Sequence, residues 1–168
     1  MDLEITQKLL SVADVYEVRR AGSPELLMTV RGKVMTFSPN LTMIRGADGP
    51  ELGALVGNAL NSSFVLRVTG RDETSTLTFP TVSLKGRLTL QTGGREITGD
   101  GGVSDERFVC KAPGGAVVLE VAMLPVGAWG AGAPLGHAAK FSVRTPEPEA
   151  LSPELATLVA VAIHQKYF

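Results

Sequence analysis

The sequence predicts a mainly β protein, an antiparallel sandwich or barrel with one buried C-terminal helix. Apolar residues recur mostly at every second position from residue 3 to residue 143, which is the period of a β-strand. Turn residues interrupt these runs at close intervals, and the last sixteen residues carry an apolar run with no polar face. Strands joined by tight turns imply antiparallel neighbours, and the lack of crossover helices disfavours an α/β fold.

One such run is Phe64 to Val68, where Phe64, Leu66 and Val68 alternate with Val65 and Arg67. Turn chemistry divides the chain into about ten or more short strands. The turns are expected at 21–24, 38–40, 46–50, 61–62, 70–72, 93–94, 99–102 and 113–115. Two longer strands are expected at 77–90, with bends at Pro80 and Gly86, and at 116–124.

The glycines of Gly99-Asp100-Gly101-Gly102 could expose backbone N–H groups to a phosphate. No helix is expected to begin after this segment, and its spacing matches neither a dinucleotide fingerprint nor a P-loop. A hairpin turn is therefore the favoured interpretation, as it is for Gly93-Gly94 and Gly114-Gly115.

The C-terminal helix is expected at about 153–166. Ser152 is a suitable N-cap, Pro153 suits the first helical position, and Glu154 complements the positive end of the helix dipole. From Leu155 to Ile163 every face of this helix is apolar, so the helix must be buried, and the run is too short to cross a bilayer. A closed antiparallel sheet around the helix buries that surface and leaves no free strand edge.

Composition places the chain among compact globular proteins, with one domain expected over residues 1–168. The formal net charge is −1 and aromatic residues make up 5% of the chain, a composition that disfavours nucleic-acid binding. The first ten residues lack the pattern of a secretory signal, and one cysteine cannot form an intrachain disulfide. We expect a cytoplasmic protein whose membrane contact, if any, is peripheral.

No residue pattern predicts catalysis, a metal site or a cofactor, and we expect a protein that is not an enzyme. The two histidines, His137 and His164, have no partner at a metal-ligand spacing. His164 falls in the last turn of the helix, where a partial positive charge complements the dipole, and His137 is expected at the end of a loop. Nothing near Cys110 in sequence would activate its thiol, so a buried core position is expected.

Several segments match a known family through loose patterns of apolar and turn residues. They are Gln7-Lys8-Leu9-Leu10-Ser11, Tyr16-Glu17-Val18, the pairs of short strands around Gly32 and Gly49, and Glu154 to Ile163. On these segments, nearly the whole chain resembles the LURP-one-related group of the tubby-like superfamily, which also includes the phospholipid scramblases. The resemblance implies a tubby-like closed barrel of about twelve antiparallel strands around a hydrophobic C-terminal helix.

Within that superfamily, tubby proteins are associated with phosphoinositide binding and scramblases with lipid movement. Scrambling is disfavoured here because the proline-rich N-terminal region and the cysteine cluster of scramblases are absent from this sequence. We expect a non-catalytic binding module that uses the outside or one rim of the barrel, because a helix inside the barrel leaves no deep lumen for a ligand. An anionic lipid headgroup, a small ligand or a protein is the expected partner.

Paired cations and one aromatic residue are the candidate ligand-binding residues. They are Arg31, Lys33, Lys85, Arg87 and Trp129. The alternative for the cations is ordinary solvated charge, and the alternative for Trp129 is a cap on one end of the barrel. Two other functions stay open: a protein-interaction or scaffold subunit in a homo- or hetero-oligomer, and an enzyme with dispersed active-site residues. The sequence does not predict the oligomeric state.

Overall fold

The computed structural model describes residues 1–8, 13–33, 37–80, 86–102, 105–125, 137–147 and 149–167. These residues form twelve strands and one helix, which follow in chain order. They are β1 (Asp2–Lys8), β2 (Val15–Arg20), β3 (Leu26–Gly32), β4 (Asn40–Arg45), β5 (Glu51–Gly57), β6 (Ser63–Val68), β7 (Thr74–Thr78), β8 (Gly86–Thr92), β9 (Arg95–Gly102), β10 (Arg107–Lys111), β11 (Val117–Leu124), β12 (His137–Arg144) and α1 (Pro153–Tyr167).

The twelve strands form a closed antiparallel barrel. Each strand pairs with the next one along the chain, and β12 returns to pair with β1. Ile5 of β1 lies opposite Phe141 of β12 on one side and Val18 of β2 on the other. The N-terminal ammonium of Met1 donates a hydrogen bond of 2.8 Å to the carbonyl oxygen of Thr145 beside this junction. The closed barrel confirms the predicted fold class, and closure leaves the sheet without a free edge.

The helix α1 runs through the interior of this barrel, as predicted. Ser152 caps its start: the Ser152 hydroxyl accepts a hydrogen bond of 3.3 Å from the backbone N–H of Leu155. Every residue from Leu155 to His164 is buried, so all faces of the helix contact the inner wall of the sheet. The apolar periodicity of the strands supplies that wall, because alternate side chains point inward. The lumen is therefore filled by protein.

Consecutive strands run antiparallel, so their connections alternate between the two ends of the barrel. The helix C-terminus lies at the end that carries the β1–β2, β3–β4, β5–β6 and β7–β8 connections. Three contacts show this: Asn61 donates to the carbonyl oxygen of Gln165 at 3.1 Å, Gln165 donates to Asp14 at 3.0 Å, and the Tyr167 ring lies 5.5 Å from that of Phe79. We refer to this as the helix C-terminal end.

Two predictions about local structure were wrong. Residues 99–102 do not form a hairpin turn; they are the last residues of β9, where Gly99 pairs with Leu88 and Gly101 with Gly86. A Cβ atom on Gly99 would lie 2.7 Å from the Leu88 side chain, so glycine is needed there for close packing. The neighbouring turn is at Gly93-Gly94, as predicted, and both glycines have positive φ angles of 54° and 68°.

The single long strand predicted over 77–90 is also wrong. The chain forms β7, which ends at Thr78, and β8, which begins at Gly86. Pro80 lies between them, where its missing N–H cannot interrupt a ladder. The strand predicted at 116–124 is confirmed as β11, and the helix is confirmed with its end at Tyr167.

Candidate functional site

The first predicted cation pair, Arg31 and Lys33, lies at the end of β3. Arg31 Nη2 donates to the carbonyl oxygen of Ala47 at 2.6 Å and lies 3.5 Å from Asp48 Oδ1, so this guanidinium fastens the β4–β5 turn. Lys33 follows the strand directly and is exposed, and its backbone N–H donates to the carbonyl oxygen of Asn40 at 2.9 Å. Of this pair, Lys33 is the residue that lies at the helix C-terminal end.

The second pair does not join the first. Arg87 lies on β8, five strands from β3 around the twelve-strand barrel, and its Nε atom is 3.7 Å from Asp100 Oδ1. Both of these side chains are largely exposed, so the ion pair contributes little to stability. Lys85 and Trp129 lie outside the described residues. The structure therefore places Arg31 and Arg87 on different walls.

Exposed apolar side chains gather at one corner of the helix C-terminal end. Of the five large hydrophobic residues that are exposed in the described part of the chain, four lie here. We call these four residues the apolar corner: Phe37, Val56, Leu60 and Val65. Phe37 is 101% exposed and Leu60 is 71% exposed, and they belong to the neighbouring β3–β4 and β5–β6 connections. The backbone N–H of Gly57 donates to the carbonyl oxygen of Pro39 at 2.7 Å and joins these two connections.

The β5–β6 turn holds Leu60 out from the barrel because polar side chains fix its backbone. Asn58 Oδ1 accepts hydrogen bonds from the backbone N–H groups of Ser62 at 2.8 Å and Ser63 at 3.3 Å. Asn61 adopts a positive φ of 50°, a conformation that asparagine tolerates better than most residues. With the turn fixed in this way, Leu60 is directed away from the core and into solvent.

Val56 and Val65 extend the apolar corner along the outer wall of the sheet. They are directly opposite each other on β5 and β6, and each is 46% exposed. Their strand neighbours Leu55 and Leu66 point inward and are buried. The two valines therefore form an apolar pair on the outer face of the sheet, outside the core.

The charge next to the apolar corner is positive. Lys33 begins the β3–β4 connection, and Lys166 Nζ donates to the carbonyl oxygen of Leu60 at 3.4 Å. The described residues of these segments, 33, 37–39, 58–62 and 165–167, include no aspartate or glutamate. The carboxylates of Asp14, Asp105 and Glu106 lie at the same end of the barrel on other connections, and Asp14 is the one next to this corner, because its side chain accepts from Gln165 at 3.0 Å and its carbonyl oxygen accepts from the Gly32 N–H at 2.7 Å. Cationic and apolar groups are thus adjacent at this corner although the whole chain carries a net charge of −1.

A buried polar cluster lies behind the corner, at the last turn of α1. Tyr16 Oη lies 3.2 Å from His164 Nδ1, and Gln165 Nε2 donates to Tyr16 Oη at 2.7 Å and to Asp14 Oδ2 at 3.0 Å. The His164 ring stacks on Phe141, with centroids 5.3 Å apart and an interplanar angle of 11°. His164 is 6% exposed and Tyr16 is fully buried.

Burial determines the protonation of this cluster. It lowers the pKa of His164, against the opposing field of Asp14, and raises the pKa of the Tyr16 phenol, which Asp14 raises further. His164 is therefore a neutral, buried hydrogen-bonding group, whereas the sequence predicted a partial positive charge at the helix end. The favourable interaction of a cation with the helix dipole in the last turn is weaker than the unfavourable loss of the cation's hydration on burial.

No protein-family model matches this chain, and no curated protein matches it. Within the described residues, no helix is both long enough and apolar enough to span a membrane. A search of the same residues finds no group of three histidine, cysteine or carboxylate side chains that could hold a metal ion.

The sequence analysis missed the four residues of the apolar corner, although a signal was present. In Phe64-Val65-Leu66 and Leu55-Val56, apolar residues occupy consecutive positions and break the alternation of a half-buried strand. Leu60 is a large apolar residue inside a turn, where polar residues are usual. Only the folded barrel, however, brings these separate departures from the pattern to one corner.

Proposed function

We propose that this chain is a non-catalytic binding module that docks on anionic lipid surfaces through the apolar corner and its two lysines. The observation that carries the proposal is the concentration of exposed apolar side chains at one corner beside Lys33 and Lys166. Peripheral membrane proteins combine these two features, because apolar side chains enter the interface while cations meet anionic headgroups.

The filled lumen supports a surface site rather than an internal one. Buried helix residues from Leu155 to His164 occupy the space where a lipocalin-like barrel would hold a ligand. Turns at the end of the barrel and the outer wall are the surfaces left for recognition. We place the chain in the LURP-one-related, tubby-like group as part of this proposal, with the twelve-strand barrel around a C-terminal helix as its support.

The expected affinity is modest and reversible. Transfer of Phe37 and Leu60 from water into the interface is worth about 3 to 6 kcal/mol, since each large side chain contributes about 1.5 to 3 kcal/mol. Two lysines near an anionic surface add about 2 kcal/mol at physiological salt. Part of this gain is offset by lost rotational and translational freedom, so we expect a peripheral binder that high salt and neutral lipid both weaken.

Co-sedimentation with vesicles tests the proposal. Vesicles of phosphatidylcholine alone, of phosphatidylcholine with phosphatidylserine, and of phosphatidylcholine with a phosphoinositide are compared at low and high salt. We expect binding to both anionic compositions, and a loss of at least about fivefold in Lys33→Gln/Lys166→Gln and in Phe37→Ser/Leu60→Ser. Arg87→Gln, which removes one exposed cation from another wall, is the matched control and should change binding by less than about twofold.

Two results would contradict the lipid proposal. One is the absence of binding to any vesicle, and the other is an equal loss in Arg87→Gln and in the Lys33→Gln/Lys166→Gln variant. Sedimentation velocity over a range of protein concentrations then tests protein association instead. Self-association that Val65→Lys abolishes would identify the apolar corner as an interface between copies of the chain.

A further inference from the structure

The end of α1 is connected to the β5–β6 turn through residues next to His164. Asn61 Nδ2 donates to the carbonyl oxygen of Gln165 at 3.1 Å, and Lys166 Nζ donates to that of Leu60 at 3.4 Å. Both bonds use the residues that immediately follow His164 in the helix. The local bonds of Asn58 set the shape of this turn, and the two bonds to α1 set where the turn lies against the end of the helix. The placement of Leu60, the exposed tip of the turn, therefore depends on the last helical turn staying in place.

His164 holds that last turn against the barrel wall. Its ring stacks on Phe141 of β12 and meets the ring of Tyr16 of β2 edge-on, with centroids 5.6 Å apart. Gln165 Nε2 is a donor, so Tyr16 Oη accepts from it and can direct its own hydrogen to His164 Nδ1. When Tyr16 donates in this way, Nδ1 is the acceptor and the ring is neutral.

Protonation conflicts with this arrangement. In the cationic ring both nitrogens are donors, so the Tyr16 hydroxyl hydrogen loses its acceptor inside the core. The charged ring would also lose its hydration, because it lies in a buried site formed by Phe141 and Tyr16. Among the described residues, the nearby charged groups are Asp14, on the β1–β2 connection, whose field favours the cation, and Lys166, two residues along the helix.

We propose that His164 is a pH switch for the apolar corner, and that its protonation releases the last turn of α1 and with it the β5–β6 turn. The effect on lipid docking rests on the function proposed above; the release of the turn does not. With the turn released, Leu60 no longer has the fixed position at the apolar corner that docking uses. Acidification should therefore weaken binding to anionic vesicles.

The sign of the pH effect follows from the direction of the shift. The pKa of His164 is lowered in the folded protein, so the unfolded chain binds the proton more tightly. The stability that neutral His164 contributes is complete above the unfolded pKa of about 6.5 and is lost as pH falls below it. Ordinary electrostatic attraction would change in the opposite sense, since protonating carboxylates makes the protein more cationic and favours anionic vesicles. A loss of binding at low pH is therefore diagnostic.

NMR and hydrogen exchange on the whole chain test the release of the turn without any lipid. The chain has two histidines, so His137→Gln assigns both ring titrations and serves as the control variant. We expect His164 to titrate with a midpoint below about 6.5. Protection of the Asn61 and Ser62 amides should fall severalfold, to a limit of about tenfold, between about pH 7.5 and pH 5.5, after correction for intrinsic rates. His164→Asn, which keeps an acceptor near Nδ1 and cannot be protonated, should remove this dependence, and His137→Gln should keep it.

A second variant protects the test against a failure of His164→Asn to fold. Tyr16→Phe removes the hydroxyl that donates to the neutral ring, so the His164 titration and the loss of protection should both move to higher pH together. The proposal is overturned if the turn stays protected while His164 titrates, or if His164→Asn retains the full pH dependence. Vesicle binding should fall at least about threefold at the lower pH in the parent protein. No vesicle binding at either pH overturns the lipid proposal and leaves the exchange result to decide the switch.

Discussion

At the scale of single residues, Thr157 is a buried polar side chain that lacks a hydrogen bond among the described residues. It is fully buried in α1, and within the described residues its Oγ1 atom has no hydrogen-bond partner. An unbonded hydroxyl in an apolar site costs about 1 to 3 kcal/mol. We expect Thr157→Val, which keeps the side-chain shape, to raise the free energy of unfolding in urea by about 1 kcal/mol. Thr157→Ser keeps the hydroxyl and loses a methyl group, so it should lower stability; a loss of stability in Thr157→Val would contradict the prediction.

Cys110 is a core residue of β10 and not a reactive thiol. It is 1% exposed, and burial, with a further effect of the Asp100 charge, raises its pKa to about 12. At about pH 8 the thiolate is therefore scarce and shielded. We expect almost no reaction of the native protein with a thiol-specific disulfide reagent, and complete reaction in denaturant. Rapid modification of the native protein would show that β10 opens more readily than its packing indicates.

His164 illustrates what a residue's sequence position does not specify. Its place in the last helical turn was readable, and a favourable interaction with the dipole followed from that place. Its protonation depends on Tyr16 and Phe141, which lie 148 and 23 positions earlier in the chain and approach only when the barrel closes. The buried position of Cys110, by contrast, was predicted from the sequence, which places no activating group near its thiol, and the structure confirms it.

At the scale of elements, α1 is the centre of the core. Val161 is fully buried inside the barrel, and an aspartate there would place a carboxylate among apolar side chains. The cost should exceed about 5 kcal/mol, which is comparable with the net stability of a domain. We expect Val161→Asp to prevent cooperative folding, measured by circular dichroism during thermal unfolding. Thr98→Asp, on the exposed face of β9, is the control and should change stability by less than about 0.5 kcal/mol.

The strands show where a local sequence pattern predicts secondary structure correctly and where it does not. Gly93-Gly94 was predictable as a hairpin turn because glycine adopts the positive φ angles of such a turn without steric cost. The same composition gave a wrong turn prediction at Gly99 and Gly101, which lie in β9. Glycine is needed there because Leu88 and Phe108 occupy the space that a side chain would need. A glycine that a positive φ angle requires cannot be distinguished in the sequence from a glycine that close packing requires.

At the scale of the whole molecule, stability depends on barrel closure at β1. This strand pairs on both sides, with β12 and with β2, and Thr6 lies opposite Lys140 and Glu17 in the two ladders. Proline at this outward position would remove a ladder N–H without removing a core side chain. We expect Thr6→Pro to lower the free energy of unfolding by at least about 3 kcal/mol in urea, and Thr6→Ala to lower it by less than about 1 kcal/mol. Similar values for the two variants would show that closure at β1 contributes little.

The sequence by itself determined the class of elements and their order: alternation marks strands, and a run that is apolar on every face marks a buried helix. Those are local properties, because each depends on side chains within a few residues of one another. The tertiary structure alone decided the neutral state of His164, the separation of Arg31 from Arg87 and the gathering of Phe37, Val56, Leu60 and Val65 at one corner. Their positions depend on the number of strands and on where each connection emerges from the closed barrel, and no local period encodes those distances.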